Sequence, residues 1–179
     1  MRALLTALVF SFVFAGNFAR AEVSESSASG MLLHYETTVA ASPNRAYQAL
    51  AHIGRWWDSV HSYSGDSHNF SLDLRAGGCF CERWGANSVE HGRVIMAFER
   101  DGVRTVRMNS ALGPLQETGA TGILTFTIAP DPQGAKITMT YRVSGDPSLN
   151  FANMAAAVDH VLGEQFGRFS RYTASGAPS

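Results

Sequence analysis

The sequence lacks an excess of charge of either sign. It has 14 Lys and Arg residues against 15 Asp and Glu residues, a formal net charge of −1. Its arginines are scattered along the chain, whereas a surface that follows the phosphates of a nucleic acid needs clustered basic side chains. We therefore expect no nucleic acid among the partners of this protein.

The sequence also lacks the short motifs that carry common metal and catalytic chemistry. Its six histidines include no H-x-x-x-H or H-E-x-x-H pair, so a zinc site would need ligands from distant parts of the chain. His61, Asp66 and His68 fall in one polar loop. Solvent-exposed loop side chains are a simpler interpretation of these residues than a metal site. No G-x-S-x-G sequence marks a nucleophilic serine. We expect neither a metal ion nor a cofactor.

Cysteine is scarce, since the chain has only Cys79 and Cys81. Two cysteines cannot form a framework of several disulfides. Positions i and i+2 of an extended strand lie about 6.6 Å apart, at the outer edge of the Cα separation that a disulfide can bridge. The favoured interpretation is two small, half-buried thiols on a strand, with a redox or metal-binding role as the alternative.

The first 21 residues are typical of a secretory signal peptide. Arg2 supplies the positive start, residues 3–14 form an apolar run, and Ala19-Arg20-Ala21 matches an A-x-A cleavage site. The apolar run is shorter than the ~20 residues that a membrane span needs. The sequence therefore predicts a periplasmic or secreted protein without stable membrane insertion.

Removal of 21 residues from 179 leaves 158, which is enough for one domain with a sizeable core. The Ser-rich segment 22–30 is predicted to be a disordered lead-in, residues 31–173 the domain, and residues 174–179 a disordered tail. A first strand is expected over residues 32–40. Ser42 and Pro43 are a good N-cap and first residue for a short helix that stops at Gly54.

From Phe70 onward the apolar residues recur with a period of two, which predicts antiparallel strands with one buried face. Val94, Met96 and Phe98 are expected to share one face of such a strand. Asp101-Gly102 is a strong hairpin signal. The clearest pair of strands comes last, over residues 124–128 and 137–143, with the turn between them.

The chain ends in a long amphipathic helix whose apolar positions hold a helical spacing over five turns. These positions are Phe151, Met154, Ala155, Val158, Leu162, Phe166 and Phe169. The apolar face of the sheet and the apolar face of this helix are both buried if the sheet wraps around the helix. We predict an α+β fold in which a curved antiparallel sheet of six to seven strands surrounds the C-terminal helix, with one or two short helices after the first strand.

Several motifs together carry a resemblance to a known superfamily. They are the Ser42-Pro43 helix, Trp56-Trp57, Gly77-Gly78 at the start of a strand, the last hairpin and the terminal helix. With them the chain resembles the START and birch-pollen-allergen superfamily (SRPBCC), in particular its polyketide-cyclase-like and chaperone-ATPase-activator-homologue branches. The resemblance spans roughly residues 32–172. It implies a helix-grip fold with a cavity for lipids, sterols, polyketides or other apolar molecules, in which only some members are enzymes.

Glu82 is the candidate catalytic residue. If Phe80 and Trp84 face the interior, Glu82 shares their face, where burial would raise its pKa and suit it to acid or base work. The opposite register places Cys79 and Cys81 inside and Glu82 on the surface. A strand of mixed composition does not fix its own register, so both arrangements stay open.

The candidate ligand-binding residues are aromatic or flexible apolar side chains expected to line the cavity. They are Trp56, Trp57, Phe80, Trp84, Met96, Met108, Phe126, Met139, Met154 and Val158. Ordinary core packing explains the same residues equally well.

The leading hypothesis for function is an exported protein that buries a hydrophobic or lipid-like small molecule in an internal cavity. The first alternative is a cavity enzyme of the cyclase or hydratase type that uses Glu82, together with His61 or His160. The second alternative is a protein-interaction module. A co-purifying ligand that Glu82→Gln leaves bound favours the first hypothesis, and a ligand that wild-type protein converts but the variant does not favours the second. An empty, collapsed interior favours the third, although the signal peptide argues against a cytosolic chaperone partner.

Overall fold

The computed structural model of this protein describes residues 20–179, and the surroundings of side chains from Val23 onward. The described part contains the strands β1 (Arg20–Ser26), β2 (Gly30–Val39), β3 (Phe70–Leu72), β4 (Cys79–Trp84), β5 (Asn87–Arg100), β6 (Val103–Asn109), β7 (Thr121–Asp131) and β8 (Gly134–Ser144). Its helices are α1 (Pro43–Ala51) and α2 (Phe151–Ser175). Short 3₁₀ helices lie at Ile53–Arg55, Ser59–His61, Ser67–Asn69, Gly113–Thr118 and Pro147–Leu149.

All eight described strands form one antiparallel sheet in the order β1-β2-β8-β7-β6-β5-β4-β3. The sheet is curved, and α2 packs against its buried face. This is the predicted α+β, helix-grip arrangement. The predicted count of six to seven strands is corrected to eight.

The additional strand is β1, which lies where a disordered lead-in was predicted. It pairs with β2 from Arg20 opposite Glu36 to Ser26 opposite Met31. Strand pairing uses backbone N–H and C=O groups, which every residue other than proline carries, so a Ser-rich segment can form the edge of a sheet. Val23 also packs against the core. Of the predicted signal peptide, residues 1–19 lie outside the described part of the chain.

Helix α1 begins as predicted but ends earlier. The Ser42 side chain accepts a hydrogen bond from the Arg45 N–H at 3.2 Å, and Pro43 is the first helical residue. The helix ends at Ala51, and Gly54 lies in the 3₁₀ turn that follows. A Cβ on Gly54 would lie 2.8 Å from the Ser67 carbonyl oxygen. Gly54 is therefore needed for a close approach of two backbone segments.

The two predicted hairpins are present. Asp101 and Gly102 both adopt left-handed conformations, with φ of 53° and 77°, as a two-residue turn between twisted strands requires. β7 and β8 pair along their whole lengths, from Thr121 opposite Ser144 to Asp131 opposite Gly134. Buried and more exposed side chains alternate along most of both strands.

A bulge in β5 overturns the predicted face of Met96 and Phe98. Pairing with β6 shifts between Val94 and Met96, so that Ala97 lies opposite the buried Val106. Directly paired residues share a face of the sheet, so Ala97 takes the inner position and its neighbours turn outward. Phe98 is accordingly 44% exposed. The period-two pattern failed here because a bulge adds one residue without leaving a sequence signal.

The second half of α2 fills the space beneath the sheet with aromatic rings. Phe166 packs 5.7 Å from Tyr35 of β2, and Phe169 packs 5.7 Å from Phe126 of β7 and 5.0 Å from Trp56, between ring centroids. These five rings are at most 2% exposed, so this half of the helix packs against the sheet as core. No helix among residues 20–179 is long and apolar enough to cross a membrane.

Candidate ligand-binding site

A cavity of about 580 Å³ lies beside the first half of α2. Its walls are that half-helix, the loop that follows α1, and the segment between β6 and β7, and His91 of β5 also borders it. The lining residues are Trp57, Val60, His61, Ser62, Tyr63, His91, Leu112, Gly113, Pro114, Leu115, Asn153, Met154, Ala157, Val158, Val161 and Leu162. Most of these side chains are apolar, so the cavity favours an apolar occupant.

The helical wall exists because the positions of α2 that line the cavity carry no aromatic ring. Met154, Ala157, Val158 and Val161 follow one another at helical spacing along the face that borders the cavity. The buried Ala155 sits on the adjacent face toward the core. One helix therefore packs tightly through its second half and leaves space beside its first half.

The loop wall is held to the rest of the protein by hydrogen bonds. The Trp57 indole N–H donates to the His61 carbonyl oxygen at 3.0 Å, which fixes the loop on itself. The Asp58 N–H donates to Gln165 Oε1 at 2.8 Å, which fixes the loop to α2. Val60 and Tyr63 are 77% and 53% exposed at the mouth of the cavity. An exposed apolar mouth gives an apolar molecule a route of entry.

The third wall is the 3₁₀ helix Gly113–Thr118 with the preceding Leu112. The Leu112 N–H donates to the hydroxyl oxygen of the buried Tyr141 at 3.0 Å, and Gln116 Nε2 donates to the Glu90 carbonyl oxygen at 2.8 Å. Burial raises the pKa of Tyr141 to about 12, so its hydroxyl stays protonated. These two bonds attach the wall to β8 and β5.

The predicted ligand-binding residues divide between the cavity and the core. Trp57, Met154 and Val158 line the cavity. The others do not line it: Trp56, Phe80, Met108, Phe126 and Met139 are at most 2% exposed in the core, while Trp84 and Met96 are half-buried on β4 and β5. The interior of the sheet is thus packed, and the cavity lies toward one end of α2.

The sequence left open whether Glu82 faces the interior or the surface, and in the structure it faces the interior. It is fully buried and accepts three hydrogen bonds: at Oε1 from the Ser64 N–H (2.6 Å), and at Oε2 from the Tyr63 N–H (3.1 Å) and from His91 Nε2 (3.0 Å). Glu82 does not line the cavity. Its carboxylate instead fixes the loop wall at Tyr63 and holds His91, and both of those residues line the cavity.

His91 reaches the interior because of a bulge in β5. Pairing with β4 runs from Phe80 opposite Gly92 directly to Cys81 opposite Glu90, which leaves His91 as the extra residue. The His91 ring packs 4.9 Å from Phe70 and 5.1 Å from Phe80, between centroids. Sequence analysis missed this residue. Gly92 was the available signal, since a glycine inside a strand often marks a bulge.

The charges of this buried pair follow from its hydrogen bonds. Burial alone would raise the pKa of Glu82, but the bonds from Ser64, Tyr63 and His91 outweigh it and hold that pKa below its ordinary value. This corrects the predicted rise. Burial lowers the pKa of His91, and Glu82 opposes that effect only in part. The pair at pH 7 is therefore an ionised carboxylate beside a neutral imidazole.

The other two histidines considered for catalysis are placed differently. His61 lines the cavity, and its Nε2 lies 3.8 Å from Glu164 Oε2 on α2. His160 is exposed on α2 and does not line the cavity. Of the two, only His61 borders the cavity, and its side chain is 30% exposed, whereas that of His91 is 6% exposed.

Cys79 and Cys81 form a disulfide, so the favoured prediction of two thiols is wrong. The Cα atoms of Cys79 and Cys81 are 5.4 Å apart instead of the ~6.6 Å of a regular strand, and the pairing of β4 with β5 shifts between Phe80 and Cys81. Glu90 lies within 4.8 Å of both sulfurs. Because the sulfurs are bonded to each other and Arg93 pairs with Glu90, this group is not a free set of metal ligands.

A scan of the sequence against protein-family models finds no match, and neither does a search of curated proteins. Solved structures do resemble this one. CalU16 from Micromonospora echinospora is 13% identical, with 90% of this chain and 86% of that chain covered and a TM-score of 0.55. A protein of unknown function from Staphylococcus aureus is 14% identical over 83% and 93% of the chains, with a TM-score of 0.52.

A third structure, a protein from Nitrosomonas europaea, is 14% identical over 80% and 93% of the chains, with a TM-score of 0.52. At such low identities the likeness establishes the fold alone. By its fold this chain is a helix-grip protein, with a curved antiparallel sheet and a long C-terminal helix.

Proposed function

We propose that this protein binds a small hydrophobic or lipid-like molecule in the cavity beside the first half of α2, as a member of the SRPBCC superfamily. The observation that supports this most is the cavity itself. Its volume of about 580 Å³ falls within the ~300–1,000 Å³ typical of small-molecule sites. Burial of apolar ligand surface there would supply the binding free energy, at about 25 cal/mol per Å² before ordering costs.

The binding test uses the uncharged fluorophore N-phenyl-1-naphthylamine, whose emission rises in apolar surroundings. Ala157→Trp places an indole in the cavity, and we expect the affinity for the fluorophore to fall at least about tenfold, a loss of about 1.4 kcal/mol. Ala156→Trp is the matched control, because Ala156 is exposed on the same helix but does not line the cavity. Equal affinities of the two variants would contradict binding at this site.

We also propose that the protein is exported, with residues 1–21 as its signal peptide. Cleavage after Ala21 would remove Arg20 and Ala21 from β1 and leave the pairs from Glu22 opposite His34 onward. The disulfide between Cys79 and Cys81 fits an oxidising compartment. Intact mass of protein from the periplasm or medium should correspond to a chain that begins at Glu22. An uncleaved chain confined to the cytoplasm would contradict export.

One observation favours a second candidate function, a cavity enzyme of the cyclase or hydratase type. His91 lines the cavity and is hydrogen-bonded to Glu82, an arrangement in which a neutral imidazole can accept a proton from a substrate. Glu82 would then act through His91 as a positioning residue. Ligand extracted from protein purified from its own host discriminates the two functions. A carrier returns that ligand unchanged after incubation, whereas an enzyme converts it and His91→Phe abolishes the conversion.

A further inference from the structure

Several polar side chains line the cavity, but apart from the Trp57 indole, whose N–H already donates to the His61 carbonyl oxygen, only one of them is buried. His61, Ser62, Tyr63 and Asn153 are half-buried or exposed, whereas His91 is 5% exposed. Water satisfies exposed polar groups whether or not a ligand is present. A buried group that gains a ligand partner, or loses one, changes the binding free energy much more. His91 is therefore the polar group that discriminates between ligands most strongly.

The bonds around Glu82 determine where the proton of His91 lies. Backbone N–H groups of Tyr63 and Ser64 can only donate, and between them they occupy both oxygens of Glu82 as a carboxylate. An ionised carboxylate is an acceptor, so His91 Nε2 must carry the hydrogen of the 3.0 Å bond to Oε2. In a neutral ring, Nδ1 is then the unprotonated nitrogen. Its lone pair can accept a hydrogen bond and cannot donate one.

Nδ1 of His91 has no hydrogen-bond partner among the described residues, where only Nε2 of this ring is bonded. Two side-chain N or O atoms of residues 23–179 are fully buried without a partner, Gln165 Nε2 and Thr173 Oγ1, and Nδ1 is not one of them. Nδ1 is therefore not fully enclosed by protein atoms. The cavity is open space that the His91 side chain borders, so a bound molecule there lies beside this ring.

We propose that His91 selects apolar ligands that carry a hydrogen-bond donor, such as a hydroxyl group, and discriminates against carboxylates. This inference rests on the proposed binding function and adds the chemistry of the ligand's polar end. A hydroxyl group donates to Nδ1. An ether oxygen or a carboxylate presents a lone pair to the Nδ1 lone pair. A carboxylate also meets the negative charge of Glu82, which lies directly behind the ring and is poorly screened in the interior.

Three probes that share one ring system separate these effects: 2-naphthol, 2-methoxynaphthalene and 2-naphthoate. We expect wild-type protein to bind 2-naphthol about tenfold more tightly than the ether, and 2-naphthoate most weakly. His91→Phe retains an aromatic ring between Phe70 and Phe80. In that variant the affinities for naphthol and ether should become equal while the ether still binds.

Nitrogen-15 NMR of wild-type protein gives a second, direct result. The Nδ1 resonance of His91 should shift when 2-naphthol binds and stay in place when 2-methoxynaphthalene binds. Equal affinities for naphthol and ether in wild-type protein would overturn the inference, and so would an Nδ1 resonance that ignores naphthol. In both cases binding itself persists, so the proposed function stands. If none of the three probes binds, the proposed function fails and the inference fails with it.

Discussion

Replacement of Phe169 by Ala lowers the free energy of unfolding by about 3–5 kcal/mol, the usual cost of removing a buried aromatic ring. Phe169 is fully buried and packs against Trp56 and Phe126, so its truncation leaves a cavity between those rings. Met154→Ala on the same helix costs less than about 1 kcal/mol, because Met154 is half-buried and already borders open space. Urea denaturation monitored by circular dichroism measures both values.

The two variants also differ in ligand binding. Met154→Ala alters the cavity wall and should weaken binding of N-phenyl-1-naphthylamine, whereas Phe169 does not line the cavity. A domain of this kind has about 5–15 kcal/mol of stability, well above the loss expected for Met154→Ala, so that variant should remain folded. Equal losses of stability would contradict a helix that is packed in one half and open in the other.

Glu82→Leu is the second change with a large expected effect, a loss of about 3–5 kcal/mol of stability. Removing one partner from a buried charged network leaves the others without bonds. Here the N–H groups of Tyr63 and Ser64 and the Nε2–H of His91 would lose their acceptor. Because these bonds anchor the loop wall, Glu82→Leu should also weaken binding of the fluorophore. Denaturation and fluorescence titration on the same samples give the two numbers.

Glu82→Gln is the matched control for shape. It keeps the size of the side chain and one acceptor oxygen, but it places an amide donor against an N–H group that previously had an acceptor. We expect a loss smaller than that of Glu82→Leu, about 1–3 kcal/mol. If Glu82→Leu were as stable as wild type, the carboxylate would not hold the loop, and the account of the cavity wall would be wrong.

The elements that the sequence predicted well are those fixed by local signals. Ser42 and Pro43 marked the start of α1, and Asp101-Gly102 marked a hairpin, because capping and left-handed turns depend on residues at fixed positions. The long strands β7 and β8 were found because each has one buried face over many residues. Cap and turn residues, and an alternation that persists over many residues, were sufficient to predict these elements.

Other features depend on contacts that no local pattern records. The bulge at His91 turned an unremarked histidine inward, and the bulge beside Met96 turned a predicted cavity residue away. Strand β1 forms through backbone pairing, to which its serines contribute no signal. The apolar stripe of α2 was predicted correctly as one face, but periodicity does not distinguish positions against a packed core from positions beside a cavity. Side-chain volume along the stripe was the unused signal, since Phe166 and Phe169 are large and Ala157 is small.

Binding of an apolar ligand beside the first half of α2 is the central claim, and intermolecular nuclear Overhauser effects test it most directly. With 2-methoxynaphthalene bound to methyl-labelled protein, we predict effects from the ligand to the methyl groups of Met154, Val158 and Leu115, which come from two different walls of the cavity. Effects confined to Ile95, which is 50% exposed on the outer face of the sheet, would contradict the claim.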